Sequence, residues 1–373
     1  VTERQALNGN PSAVAIDRAL TELRRGRVIA ITDGTAALLA TALETTDHML
    51  IQRLRNLGPL AIELPAERAR ALGIALESGQ MLHLPLSPDW SAPAIASLGQ
   101  DWRLDTWRAV LADIDAKAVP ATALREAALR LTKRAQLLPA VLLSTAPLAG
   151  SLDVHTVHLE DLSATDQSAT TQLLRISEAR VPLRDCEHSR LVLFRDLRDG
   201  AEHLAVIIGT PDVTQPVSVR MHSSCLTGDL LGSLRCDCGE QLRDAVRLLN
   251  DAGGGVLLYL AQEGRGIGLA NKLRAYQLQD GGLDTIDADQ QLGFRSDERN
   301  YAVAAALLKQ LHIATVTLLT NSPHKVRALE AAGIEVAQIG SLHGTPNHHN
   351  ARYIRTKQER AGHFRPEVEE SAG

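Results

Sequence analysis

Arg220-Met-His-Ser-Ser-Cys225-Leu-Thr-Gly-Asp-Leu-Leu-Gly-Ser-Leu-Arg-Cys236-Asp-Cys238-Gly-Glu-Gln-Leu242 carries three of the four cysteines in the chain. Thiolates are soft ligands that zinc takes readily in tetrahedral geometry. Structural zinc sites fill four positions, most often through paired C-x-x-C turns. Here the spacing is C-x10-C-x-C with no second pair nearby. Three protein ligands (Cys225, Cys236 and Cys238) would leave one position open, as in catalytic zinc sites. His222 as a fourth ligand would instead make the site structural, and spacing leaves both arrangements open. Packing thiols are the bland alternative. A disulfide fits poorly with four cysteines and no signal-peptide pattern.

Outside this stretch, composition sets bounds. A chain of 373 residues is long for one core and predicts two domains. With 45% hydrophobic residues it can fill packed interiors. No apolar run reaches transmembrane length, so a cytoplasmic enzyme with no membrane partner is expected. A net charge of −5 gives no argument for a nucleic-acid surface. A polyphosphate ligand would need local positive charge, for which Arg220, Arg235, Arg265, Lys272, Arg274, Arg299 and Lys325 are the candidates.

The runs His222 to Asp229 and Ser233 to Gly239 resemble GTP cyclohydrolase II. The likeness continues through Gln262–Leu269, Asn271-Lys272, Arg274-Ala275-Tyr276, Asp297-Glu298-Arg299 and Leu319-Thr320-Asn321, covering residues 178–365. It implies a zinc enzyme of flavin synthesis. Such an enzyme hydrolyses GTP to 2,5-diamino-6-(ribosylamino)pyrimidinone 5'-phosphate, releasing formate and pyrophosphate. The resemblance implies one Zn2+ on Cys225, Cys236 and Cys238, Mg2+ with the GTP phosphates, and a homodimer. It places Arg220, Met221, His222, Ser223, Ser224, Gln241, Glu263, Gly264, Arg265, Thr285, Thr320 and Lys325 at the nucleotide, and Tyr276 facing it. Asp297 becomes the proton acceptor. Arg299 is implied as a nucleophile on the α-phosphorus, but a guanidinium stays protonated and suits charge stabilisation better. The residues leave both roles open.

Individual residues suit these roles. The glycines of Glu263-Gly-Arg-Gly-Ile-Gly268 lie between a strand and a helix and can free backbone N–H groups for an anion. Glu263 offers a carboxylate to the N1–H and amino group of guanine, and the fork of Arg265 suits phosphate. Lys272 and Tyr276 share a helix face at i, i+4. Gln241 opens a helix over 241–250, Thr285 lies in a loop, and Ser322-Pro323 starts a helix with Ser322 as N-cap. One departure matters: the family motif His-Ser-Glu-Cys reads His222-Ser223-Ser224-Cys225 here. Loss of that carboxylate keeps two alternatives open, a zinc-containing nucleotide-binding regulator and a cyclohydrolase for another purine nucleotide.

The expected fold is α/β, with a domain at 1–162, a linker at 163–177 and a mixed α/β domain carrying the three-Cys site at 178–373. In the first half, helical spacing over 11–25 with Ser12 as N-cap precedes the strand Val28–Ile31 and an Asp33-Gly34 turn. A helix over 46–57, a strand over 60–64 and a helix from Pro65 follow. The layout is similar to dihydroxybutanone phosphate synthase, through residues 13–31, Glu44-Thr45 and His155–Leu162. That family needs an acidic run after its first strand to hold Mg2+ and substrate. Asp33-Gly-Thr-Ala-Ala-Leu-Leu39 supplies one Asp, and Leu124-Arg-Glu-Ala127 lacks the family histidine. Synthase activity is therefore predicted absent. Cys186 reads as a packing thiol, and the tail 341–373 as mobile.

Overall fold

The computed structural model describes residues 10–113, 115–145, 153–167, 173–360 and 362. By Cα packing the chain forms two units, one of Val1–Gln167 with Ala270–Glu298 and one of Ser168–Leu269 with Arg299–Gly373. Both are α/β, as the sequence predicts. The continuous C-terminal stretch expected from 178 onward is interrupted in packing, because residues 270–298 go with the first unit.

The first unit is built on a seven-stranded sheet: β1 Ile29–Thr32, β2 Ala37–Ala42, β3 Leu60–Leu64, β4 Gln80–Pro85, β5 Lys117–Pro120, β6 Val141–Ser144 and β7 His155–His158. Their spatial order is β5-β4-β3-β6-β2-β1-β7. The helix Pro11–Arg24 buries Ala13, Ile16, Ala19, Leu20 and Leu23, the stripe its sequence displays. Its cap is Asn10 rather than Ser12. Asn10 Oδ1 accepts from the Ser12 and Ala13 N–H groups at 3.1 and 3.4 Å. The Ser12 hydroxyl instead donates to Asp161 at 2.8 Å. The next helix is His48–Leu57, capped by Asp47, whose carboxylate accepts from Leu50 N–H at 2.7 Å.

Thr285 does not lie in a loop. It opens the helix Thr285–Gln291, capped by Asp284 through the N–H groups of Ile286 and Asp287 at 2.8 and 2.9 Å. A seven-residue helix carries too little periodicity to be seen in sequence, but Asp before Thr is a usable cap signal. This segment ties into the first unit through buried Arg68, which donates to the carbonyls of Trp102 (2.9 Å) and Gln291. Arg274 also pairs with Glu44 at 2.6 Å.

The second unit has its own seven-stranded sheet: β8 Leu173–Arg180, β9 Ser189–Asp196, β10 Glu202–Gly209, β11 Val217–Ser223, β12 Gly254–Leu260, β13 Thr315–Leu319 and β14 Glu335–Gly340. The order is β14-β13-β11-β12-β10-β9-β8. β11 runs parallel to both β12 and β13, while β8, β9 and β10 are antiparallel. The chain leaves β11 for β12 on one side and later returns to β13 on the other. A crevice at the carboxyl ends of such strands is where ligands bind in α/β sheets. One face packs Val192, Phe194, Val219, Leu258 and the helix Ala302–Gln310. The other packs Cys186, Ile208, Ala245, Leu249 and Leu257, which makes Cys186 a core thiol.

Two further expectations change. The linker expected at 163–177 divides between the helix Leu159–Gln167 and β8, with 168–172 outside the described residues. The tail read as mobile contains the helix Ala351–Glu359, anchored by buried Asn350 and Thr356. Residues 361 and 363–373 lie outside the described residues.

In the helix Ala92–Gln100 of the first unit, a Cβ on Gly99 would stand 2.2 Å from the Leu43 carbonyl oxygen. Gly99→Ala should therefore cost about 1–3 kcal/mol of that unit's stability. Urea denaturation read by circular dichroism would show the shift, and an unchanged midpoint would contradict this packing.

Candidate functional site

β11 is stiff and mostly buried, and it ends directly at Ser223-Ser224-Cys225. The Ser224 N–H donates to Leu260 O at 2.8 Å, so the exit from β11 is pinned to the end of β12. Cys236 lies at the far end of the loop, and Cys238 is the first residue of the helix Cys238–Asp251. That helix starts three residues before Gln241, and its N-terminus favours a negatively charged sulfur. The ligand atoms of Cys225, Cys236 and Cys238 lie within 4.8 Å of one another, with 3.7 Å between the sulfurs of Cys225 and Cys236. Two thiolates at Zn–S bond length in a tetrahedron stand about 3.8 Å apart.

Gly228 makes the crowding possible. A Cβ there would lie 2.8 Å from the Cys236 sulfur and 3.1 Å from that of Cys225. Its N–H donates to the Cys225 sulfur at 3.3 Å. Contact with Cys225, supported by burial, pushes the Cys236 thiol up to about 11. Cys238 is raised too, first by its contacts with the other two sulfurs and then by burial. Without a cation the thiols resist ionising together. A divalent soft metal would resolve the repulsion, and the donor set therefore fits zinc with one position left for a non-protein ligand.

His222 does not belong to this group. Its Nε2 lies 3.1 Å from both carboxylate oxygens of Asp229, and its ring stacks on Tyr259 at 5.6 Å. Asp229 also accepts from the Cys225 N–H at 2.9 Å and from the Tyr259 hydroxyl at 3.0 Å. One buried carboxylate thus holds β11, β12 and the first cysteine together. Burial pulls His222 below its ordinary value, against the opposing effect of Asp229. Sequence reasoning did not single out Asp229 or Tyr259. Asp229 sits four residues after Cys225, but nothing in spacing links it to a tyrosine on β12.

Cations gather at the same strand ends. Arg220 is 6% exposed and donates to Leu319 O at 2.8 Å and to Gln241 Oε1 at 2.7 Å. Its Nε has no protein acceptor among the described residues. Burial pulls its guanidinium down to about 10, which leaves it charged at neutral pH. Lys325, in the first turn of the helix Pro323–Ala331, donates to Met221 O at 2.6 Å, while the Met221 side chain is core. The Arg299 guanidinium and the Lys325 ammonium lie 5.2 and 5.8 Å from the ring centre of Tyr301. Arg299 also donates to the Ser223 hydroxyl at 3.4 Å. Two positive charges thus stand over one aromatic ring.

The turn after β12 is the one the glycine pattern predicts. Gly264 and Arg265 both adopt left-handed conformations, φ 61° and 59°. Glu263 spans this turn, accepting from Leu226 N–H at 2.6 Å and from Gly264 N–H at 2.9 Å. The Thr320 hydroxyl accepts from Ser322 N–H at 3.0 Å, and Ser322 stands at the N-cap position with Pro323 following. Tyr276, Thr285 and Asp297 lie in the segment that packs with the first unit. There Tyr276 carries Lys272 over its ring at 5.7 Å.

Comparison with known proteins follows the same residues. A family model described as GTP cyclohydrolase II matches residues 174–340. GTP cyclohydrolase-2 of Azotobacter vinelandii is 53% identical over 171 residues, 46% of this chain and 82% of that one. The riboflavin biosynthesis protein RibBA of Porphyromonas gingivalis is 50% identical over 176 residues, 47% of this chain and 44% of that one. GTP cyclohydrolase-2 of Azospirillum brasilense is 42% identical over 364 residues, which make up 94% of each chain. Likeness of that extent runs through both units, and the chain belongs to the GTP cyclohydrolase II family.

Proposed function

We propose that the chain is a zinc-dependent GTP cyclohydrolase II of riboflavin synthesis. It would hydrolyse GTP to formate, pyrophosphate and 2,5-diamino-6-(ribosylamino)pyrimidinone 5'-phosphate. The observation that carries this reading is the three-sulfur cluster beside converging cations at the carboxyl ends of parallel strands. Bound zinc supplies a Lewis acid that acidifies water and polarises the purine. Cys225, Cys236 and Cys238 would hold it.

The remaining work falls to side chains. Arg220, Arg299 and Lys325 offer fixed positive charge where phosphates would lie, with no reorganisation needed when charge develops. Arg299 acts on this reading as a charge stabiliser at the α-phosphate, because its guanidinium stays protonated. The Arg265 N–H groups and fork add donors at the turn after β12. On this reading Glu263 is the carboxylate that pairs with the guanine edge. Ser223, Ser224, Gln241, Gly264, Thr285 and Thr320 keep the nucleotide contacts, and Tyr276 and Asp297 the catalytic roles, that the family likeness gives them. Mg2+ would accompany the triphosphate, and a homodimer is the assembly that likeness suggests. The C-terminal domain boundaries at 178–373 belong to the same reading.

The first unit is read as lacking synthase activity. Asp33 spends its Oδ1 on its own turn, accepting from Thr35 N–H and hydroxyl at 2.8 Å and from Ala36 N–H at 2.7 Å. Glu44 is paired with Arg274 and accepts from Leu138 N–H at 2.6 Å. Both carboxylates have partners within the unit, in line with that reading.

Zinc-loaded protein incubated with GTP and Mg2+ should release formate, and Cys236→Ser should abolish it. Nucleotide binding without formate from any purine nucleotide would replace the enzyme by a regulator. Asp229→Ala should weaken zinc binding about 10–100-fold, measured by chelator competition, because it frees the Cys225 N–H and Tyr259. Unchanged zinc affinity would remove Asp229 from the supporting frame.

A further inference from the structure

We propose that Lys357, on the C-terminal helix Ala351–Glu359, is a positioning residue for the metal and nucleotide groups. It holds Asp237 between the two cysteines Cys236 and Cys238, and through Asp237 and Gln241 it holds Arg220. The helix lies beyond residue 340, where the family model ends. The proposal rests on the cyclohydrolase reading for its nucleotide arm and on the cysteine cluster alone for its metal arm.

The connection is a continuous line of side chains. Lys357 Nζ donates to Asp237 Oδ1 at 2.8 Å, and the two side chains are 20% and 5% exposed. The other oxygen of Asp237 accepts from Gln241 Nε2 at 2.6 Å. Gln241 Oε1 accepts from Arg220 Nη2 at 2.7 Å, and Arg220 reaches the end of β13 through Leu319 O. Asp237 adds a buried negative charge beside three sulfurs. Without a paired cation it would repel them and could turn toward the metal or toward Arg220.

The tail is shaped to deliver this ammonium. Gly344 lies against Asp237, where a Cβ would stand 2.5 Å from that of Asp237. Thr345 binds Glu240 through its N–H at 2.7 Å and through its hydroxyl. Asn350, 1% exposed, ties the turn by donating to Thr345 O at 3.1 Å and accepting from Asn347 N–H at 2.7 Å. The ammonium itself lies 4.2 Å from the centre of the Tyr353 ring, on the preceding helical turn. A tail that merely covered the surface would need none of these polar ties.

The test compares Lys357→Met, Lys357→Arg and, as a control on the exposed face of the same helix, Arg355→Met, all in the full chain. Zinc affinity is read by chelator competition, site geometry by the absorption of the Co2+-substituted protein, and KM and kcat with GTP. Lys357→Met should weaken zinc binding at least about tenfold and alter the Co2+ bands. It should also raise KM more than it lowers kcat. Lys357→Arg should recover most of both effects, and Arg355→Met should match the parent. Lys357→Met with zinc affinity, Co2+ bands and KM all within about twofold of the parent would overturn the proposal. So would a lower melting temperature as the sole change. If Lys357→Met does not fold, Lys357→Gln takes its place under the same thresholds. A parent that releases no formate would defeat the cyclohydrolase reading, while the zinc and Co2+ measurements would still decide the role of Lys357.

Discussion

Three sulfur atoms crowded into one cluster cannot all be ionised without a cation among them. Mutual contact, and then burial, raises the thiols of Cys236 and Cys238 above their ordinary value. The surrounding loop is nevertheless built to hold them close. Gly228 leaves room for two of the sulfurs, and Gly239 lets the helix Cys238–Asp251 approach that loop, since a Cβ at 239 would stand 2.1 Å from Gly228 O. Asp229 fixes the loop's start, and Lys357 with Asp237 fixes its end. The frame is therefore preorganised for a charge it does not itself contain, which is how metal sites avoid spending binding energy on rearrangement.

The same logic runs through the positive side of the site. Arg220 is buried with one donor unused by protein acceptors among the described residues, and Arg299 and Lys325 share one aromatic ring. Each is costly in isolation. Together they suit a ligand with several negative charges that arrives at the open ends of parallel strands.

Much of this was legible in the sequence because the chemistry is local. The cysteine spacing, the glycines at 264, 266 and 268, and Ser322-Pro323 are signals within a few residues, and the structure shows a sulfur cluster, a left-handed turn and a helix start there. What the sequence hid depends on distant partners. The Asp229–Tyr259 contact joins the cysteine loop to β12, and Lys357 lies 120 residues from Asp237. His222 looked like a candidate ligand because histidine beside cysteine is a metal pattern, and only the position of Asp229 shows its ring turned to another task. The helix at Thr285 was hidden by its length. The tail looked mobile because it is polar, yet polar residues dock it.

The excursion of residues 270–298 into the first unit means the chain passes between its two units three times. A cut near residue 167 would separate the long N-terminal run but strand the first unit without the helix Thr285–Gln291. Arg68, almost fully buried, would lose the Gln291 carbonyl, and Glu44 would lose Arg274. The units are stitched rather than strung in series.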